Sequence, residues 1–274
     1  MSCIGGIEHI IFSDSNSAIL PHSHHNAHQV FFIMKGRVRV QINESHYLVE
    51  KPTAIFVSNF ETHSFTALSH DYSRFCISLR PALIKQEIKS DRLLSIISNR
   101  PESFCHCVDI EAIEPLVAQL LREMLKETEG DFDDFPENAS ALFKCILIAI
   151  YRQSPKSFPF DDNNIFSTVQ RIKHKIESDL ATEQSLEELA EEFHVSRYYL
   201  AHSYKKITGY SIKNYKMLCR LAEARELLTE TAMPVSDISE RVGFPDTSNF
   251  SKYFKKKEGY TPSEYRTIHK GENQ

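Results

Sequence analysis

Long apolar runs are missing from this 274-residue sequence. No stretch of about 18 apolar residues could cross a bilayer. The N-terminus lacks the basic segment, apolar stretch and small-residue cleavage site of an export signal. The expectation is a cytoplasmic protein with no membrane partner. A cysteine pattern is missing too: Cys3, Cys76, Cys105, Cys107, Cys145 and Cys219 are scattered, which excludes a disulfide framework in a chain of this size. Cys105-His106-Cys107 has no second pair to complete a metal or redox motif and is assigned no role. No nucleophile or general-base arrangement stands out, so neither an enzyme nor a cofactor or bound metal is expected.

Excess positive charge is also lacking. The net charge is −5, which on its own argues against a nucleic-acid partner, but its distribution argues for one. From Ile165 to the end there are 17 Lys and Arg against 16 Asp and Glu, leaving 15 against 21 in the first 164 residues. The local contrast is sharper. Ser196 to Lys206 holds Arg197, Lys205 and Lys206 and no acid, and Thr247 to Lys257 holds Lys252, Lys255, Lys256 and Lys257 and again no acid. Basic faces of this kind are the electrostatic footprint of phosphate contact.

Those two stretches sit inside an internal repeat. Tyr204-Lys205-Lys206-x-x-Gly209-Tyr210-Ser211-x-x-x-Tyr215-Lys216 is answered about fifty residues later by Phe254-Lys255-Lys256-x-x-Gly259-Tyr260-Thr261-x-x-x-Tyr265-Arg266. Upstream, Leu186, Leu189, Ala190 and Phe193 correspond to Val235, Ile238, Ser239 and Val242, both sets at the i, i+3, i+4, i+7 spacing of one helix face. Each unit reads as a short amphipathic helix, a tight turn and a second helix. Ser185 with Glu188 forms a capping box, Gly243 stops a helix, Asp246 caps the next, and Thr261-Pro262-x-Glu264 opens a last one. Ser211 to Thr229 contains no Gly or Pro and predicts one helix of about 28 Å joining the two units.

Val235-Ser-Asp-Ile238-Ser-Glu-Arg-Val242-Gly243-Phe244, Asn249-Phe250-Ser-Lys-Tyr-Phe254-Lys255-Lys256 and Gly259-Tyr-Thr261-Pro262-Ser-Glu-Tyr265-Arg266 together resemble the AraC/XylS transcription regulators. The resemblance covers roughly Ile165 to Lys270. Its departures are mild: Ser239 where the family usually has Ala, Pro245 in the turn, and Tyr204 for Phe. It implies a DNA-binding domain of two helix-turn-helix units, a promoter as double-stranded DNA partner, RNA polymerase as a second partner and, as in most of the family, activation. It places base contacts at the early outward positions of each second helix, and the helical wheel agrees. With Leu200, Tyr204, Ile207, Phe250 and Phe254 inward, the outward positions are Arg197, Tyr198, Ala201, His202 and Lys205, then Thr247, Ser248, Ser251, Lys252 and Lys255. Arg197, His202 and Lys252 have donors for guanine edges, and Thr247, Ser248 and Ser251 suit bases or phosphates. Lys205, Lys206, Lys255 and Lys256 suit phosphate neutralisation or simple solvation.

The first part of the chain has strand character. Val38, Val40 and Ile42 alternate onto one face, as do Phe75, Ile77 and Leu79; short apolar runs at Val30 to Met34, His46 to Val49 and Ala54 to Val57 lie between them. Many short strands predict a barrel or sandwich. Pro21-His22-x-His24-His25, Gln29-Val-Phe-Phe-Ile33-x-x-Gly36 and His63 look like a degenerate cupin barrel, the usual sensor of AraC relatives, but without the acid of metal-binding cupins. His22, His24, His28, Phe32 and His63 are the effector-binding candidates. The imidazoles suit a metal, a polar ligand or plain solvation. A sugar would fit the His-rich mouth, and a fatty acid would fit Phe31, Phe32, Phe56 and Phe65. A metal-dependent cupin enzyme fused to a DNA-binding domain, with His22, His24 and His63 as ligands, is the alternative.

After Pro81 the pattern turns helical. Ile113, Leu116, Val117, Leu120, Leu121, Met124 and Leu125 hold one face, and Ala139 to Tyr151 is apolar nearly all round. The resemblance implies that such a pair forms a homodimer interface; closing the sensor's own core is the other reading. The expected class is therefore an α+β multidomain chain. Residues 1–153 form a cupin-like barrel with a helical dimerisation segment, 154–164 a linker rich in Pro, Ser and Asp, and 165–274 an all-α domain with two helix-turn-helix units joined by a long helix.

Overall fold

The computed structural model describes residues 7–14, 19–22, 27–101, 104–129, 135–158 and 164–269. The chain divides into two compact units, Met1–Asp161 and Asp162–Gln274.

In the first unit, strands β1 (Ile7–Ser13), β2 (Ile19–His22), β3 (His28–Lys35), β4 (Val38–Ile42), β5 (Ser45–Val49), β6 (Thr53–Val57), β7 (His63–Ala67) and β8 (Ser73–Leu79) precede helices α1 (Pro81–Glu87) and α2 (Asp91–Ser98). A ninth strand, β9 (Cys107–Asp109), then leads into α3 (Glu114–Glu129) and α4 (Phe135–Gln153). The strands form two antiparallel sheets, one ordered β1-β8-β3-β6-β9 and the other β2-β7-β4-β5.

The central strands β3 and β6 of the five-stranded sheet are buried on both faces. Phe31, Ile33, Ile55, Val57 and Cys76 join Val38, Val40, Ile42, Val49 and Phe65 of the other sheet in one core. Val30, Phe32, Ala54, Phe56, Phe75 and Ile77 point the other way, into a second core with Val117, Leu121 and Met124 of α3 and Phe143, Ile146 and Leu147 of α4. This double burial makes β3 and β6 continuous apolar runs, whereas β4, with one face in water, alternates. On α3 the buried stripe is narrower than the sequence predicts, because Leu116 stands exposed. Phe158, inside the stretch that reads as linker, is buried with its ring edge-on to Phe56 at 5.5 Å and near Phe104 at 6.3 Å.

The second unit is helical: α5 (Asn164–Ser178), α6 (Leu186–Glu192), α7 (Arg197–Thr208), α8 (Ile212–Glu230), α9 (Val235–Arg241), α10 (Thr247–Glu258) and α11 (Pro262–His269). The cap signals are realised. Ser185 and Glu188 exchange both capping-box bonds, Asp246 accepts from the Asn249 amide at 2.7 Å, and Glu264 accepts from the Thr261 amide at 2.7 Å. Leu221, Ala224 and Leu228 of α8 pack with Ile238, Val242, Phe250 and Phe254 in the second repeat. Truncating either fully buried Phe would cost about 3–5 kcal/mol. No helix among the described residues is long and apolar enough to cross a membrane.

Candidate nucleic-acid interface

The two repeats turn by the same backbone bonds. In the first, the His194 amide donates to Glu191 O at 3.1 Å and the Val195 amide to Ala190 O at 2.9 Å. In the second, the Gly243 amide donates to Glu240 O and the Phe244 amide to Ser239 O, both at 2.9 Å. These bonds close the carbonyls that a helix end leaves open. After each turn the next helix is capped at once, by Ser196 before α7 and Asp246 before α10, and each ends on a left-handed glycine, Gly209 or Gly259.

With Leu200, Tyr204, Phe250 and Phe254 buried inward, the outward positions lie as predicted. Arg197, Tyr198, His202, Lys205, Lys206, Ser248, Lys252, Lys255 and Lys256 are exposed, and Ala201, Thr247 and Ser251 are half-buried. Ile207, predicted inward, is half-buried. The α7 surface has details that the wheel does not give. Arg197 is ion-paired with Glu187 of α6. Tyr198, 82% exposed, stacks parallel to the His202 ring one turn on, at 6.3 Å between centroids. The helices can therefore present cations, hydroxyls and one aromatic platform to a groove.

Among the described effector candidates, His63 lies between the sheets, whereas His28 and Phe32 lie on the helix side of β3. His63 is buried between the sheets, its ring 5.5 Å from Phe31 and 6.0 Å from Phe65. His22 pairs with it across β2 and β7, but the His22 side chain and all of His24 lie outside the described residues. Phe32 and Phe56 face the helices, so the predicted four-Phe pocket is corrected to Phe31 and Phe65. His28 shares the Phe32 side of β3 by strand alternation and accepts from the Asn59 amide at 3.2 Å. Because both faces of β3 are apolar, the sequence carries no signal for which phenylalanine looks inward. Among the described residues no group of three His, Cys, Asp or Glu could hold a metal ion.

A polar cluster that sequence reasoning passed over lies near His63. Glu61, with a side chain 4% exposed, accepts from Arg100 Nε at 3.0 Å, from the Ser58 amide at 2.7 Å and from His106 Nε2 at 2.9 Å. A carboxylate only accepts, so in the neutral ring the proton sits on Nε2, and Nδ1 receives the Tyr47 hydroxyl at 3.0 Å. Burial alone would raise the Glu61 carboxyl. The Arg100 guanidinium, His106 and the Ser58 amide outweigh it and hold the pKa at about 2. Cys105-His106-Cys107, unassigned by spacing, thus supplies the His of a buried ion-pair network.

A two-sheet unit followed by paired helix-turn-helix repeats on one joining helix defines a transcription regulator with separate ligand-binding and DNA-binding parts. The chain belongs to the AraC family. The model of the AraC-like ligand binding domain matches residues 4–144, and that of a helix-turn-helix domain matches 189–268. The chain is 25% identical over 256 residues to the HTH-type transcriptional activator RhaS of Escherichia coli O139:H28, covering 91% of this chain and 88% of that protein. The Salmonella arizonae RhaS is 24% identical over 268 residues, with the same coverage. The fold matches ToxT from Vibrio cholerae with a TM-score of 0.59 and 17% identity, covering 96% of this chain and 98% of that one. It also matches ToxT of strain SCE256 bound to an unsaturated fatty acid, with a TM-score of 0.57, 15% identity and 99% of both chains.

Proposed function

We propose that the protein is a homodimeric, effector-controlled activator that reads promoter DNA with both repeats and acts on RNA polymerase in the cytoplasm. Arg197, His202, Thr247, Ser248, Ser251 and Lys252 contact bases, with Tyr198 and Ala201 against sugar or thymine methyl groups. Lys205, Lys206, Lys255 and Lys256 neutralise phosphates. The observation that carries this reading is the acid-free outer face of α7 and α10, each held at a fixed angle by a capped turn. The curated relatives carry activator in their names, which favours activation.

Residues 1–153 sense and dimerise, 154–164 link, and 165–274 bind DNA. Phe158 seats the first half of the linker on the sensing unit. The exposed Leu116 on α3 favours that helix as part of the dimer surface. Between the sheets the side chains of Phe31, Ile33, Val40, Ile42, Ile55 and Phe65 suit the hydrocarbon of a fatty acid better than a sugar, and a fatty acid is what one ToxT structure holds.

The test is selection of bound genomic fragments by the full-length protein, with and without a cell-metabolite extract. A motif of two blocks about one helical turn apart, altered by the extract, is the expected result. Binding without a motif, falling only with salt, would overturn the specific-regulator reading.

A further inference from the structure

Arg220 sits mid-way along α8, and its side chain is 5% exposed. Its Nε and Nη2 both donate to Leu180 O, at 2.9 and 2.7 Å, and Nη2 also reaches Glu183 Oε1 at 2.6 Å. Leu180 and Glu183 lie in the connection from α5 to α6, at the entry to the first repeat. The same guanidinium lies over the Phe244 ring, 5.7 Å from its centroid, and Phe244 belongs to the turn between α9 and α10 in the second repeat. One buried side chain on the joining helix therefore bonds the segment that leads into the first repeat and lies against the turn of the second. Its charge is held by Glu183 and a carbonyl, so it is not placed to meet a phosphate.

Gly243, beside Phe244, shows how close the repeats come. A Cβ there would stand 2.5 Å from Leu180 O, 2.7 Å from Ala181 Cα and 2.7 Å from Arg220 Nη2, on a backbone with φ of +82°. Other contacts fasten each repeat to α8 separately: the Tyr204 ring of α7 packs edge-on to Tyr215 with centroids 6.0 Å apart on one side, and Arg225 pairs with Glu258 of α10 on the other. Two heads on one helix retain freedom to twist about its axis, and a cross-tie between the heads removes it.

We propose that Arg220 is a positioning residue for DNA recognition: by clasping Leu180 and Phe244 it sets the rotation of α10 relative to α7, and with it the base-pair spacing accepted between the two recognition blocks. This rests on the reading that both repeats occupy one site. Adding one base pair moves a block by about 3.4 Å and turns it by roughly 35°, a change that a cross-tied pair of heads cannot follow.

The experiment uses the full-length protein and a two-block site obtained by selection with it. Competition binding is measured on that site, on derivatives with one base pair added or removed between the blocks, and on DNA keeping one block only. The wild type should lose at least tenfold on either spacing change. Arg220→Met, of similar length but without donors, should lose no more than about threefold, with single-block affinity within about twofold of wild type. A folded Arg220→Met protein, judged by its melting curve, that keeps the full spacing penalty overturns the proposal. Should that variant not fold, Arg220→Lys is read by the same criterion, since one ammonium cannot bond Leu180 and Glu183 while lying flat over Phe244. A wild type that selects two blocks yet tolerates the added base pair overturns the clasp alone. A wild type that selects no two-block site overturns the two-repeat reading and the proposal with it.

Discussion

His194 and Gly243 hold the same place in the two repeats, and both take the left-handed backbone, with φ of 54° and 82°. Only the second is a residue that adopts it freely. A side chain in that region costs about 1–2 kcal/mol, partly offset by the roughly 0.5–1 kcal/mol of extra unfolded-state freedom that glycine brings. His194→Gly should therefore stabilise the helical unit by roughly 0.5–1 kcal/mol and raise its melting temperature by a few degrees. Gly243→Ala should destabilise it by more than about 2 kcal/mol, because its Cβ meets backbone. Circular-dichroism melts of the two variants should move in opposite directions.

On DNA, Lys252→Ala should cost on the order of 1–3 kcal/mol at the cognate site and relax the base preference there. Equal losses on all sequences would place Lys252 among the phosphate contacts instead.

Lys256→Ala should weaken binding to every sequence alike and reduce the slope of log affinity against log salt by about one. An unchanged slope would remove it from the interface.

Glu61 makes the sensing unit acid-sensitive in a defined window. Its native pKa of about 2 lies below the ordinary 4.5, so the native state holds that proton less readily than the unfolded chain does. The resulting stability is complete above about pH 4.5 and is lost as the pH falls toward 2. Glu61→Gln leaves Arg100 buried without its counter-charge and should cost about 3 kcal/mol or more at pH 7. It should also flatten the loss between pH 5 and 3 in urea unfolding; an acid limb identical to wild type would show that other carboxylates set it.

Alkylation should separate the thiols. Cys105 and Cys145 are exposed, whereas burial pushes Cys76 and Cys107 up to about 12 and Cys219 higher still. Brief maleimide treatment at pH 7 followed by mass spectrometry should find Cys105 and Cys145 modified and Cys76, Cys107 and Cys219 intact until denaturant is added.

The second unit was the more legible because its signals are local. The Ser185–Glu188 box, the Asp246 cap, the Gly259 stop and the inward Phe250 and Phe254 each act within a few residues, and all but the box have a counterpart in the other repeat. The Arg220 clasp left no such trace, since its partners Leu180 and Phe244 come together only in three dimensions. In the first unit the alternation of Val38, Val40 and Ile42 marked β4 plainly. β1 and β9 did not announce themselves: Ile11 and Phe12 on β1 stand exposed, breaking any clean alternation, and β9 has three residues. The Glu61 cluster joins residues from Tyr47 to His106, a reach that no motif spacing encodes. Phe31 and Phe32 were indistinguishable because each is wholly buried.

That pair of neighbours turns the five-stranded sheet into a diaphragm between two chambers. Phe31 presses on the space shared with the other sheet, and Phe32, one residue on, presses on the helices. Close-packed interiors have little slack to absorb strain, so a guest that widened the first chamber would bow the sheet and crowd the second, where α3 and α4 are seated. Any such push would pass through the pleat, from Phe31 on one side to Phe32 on the other.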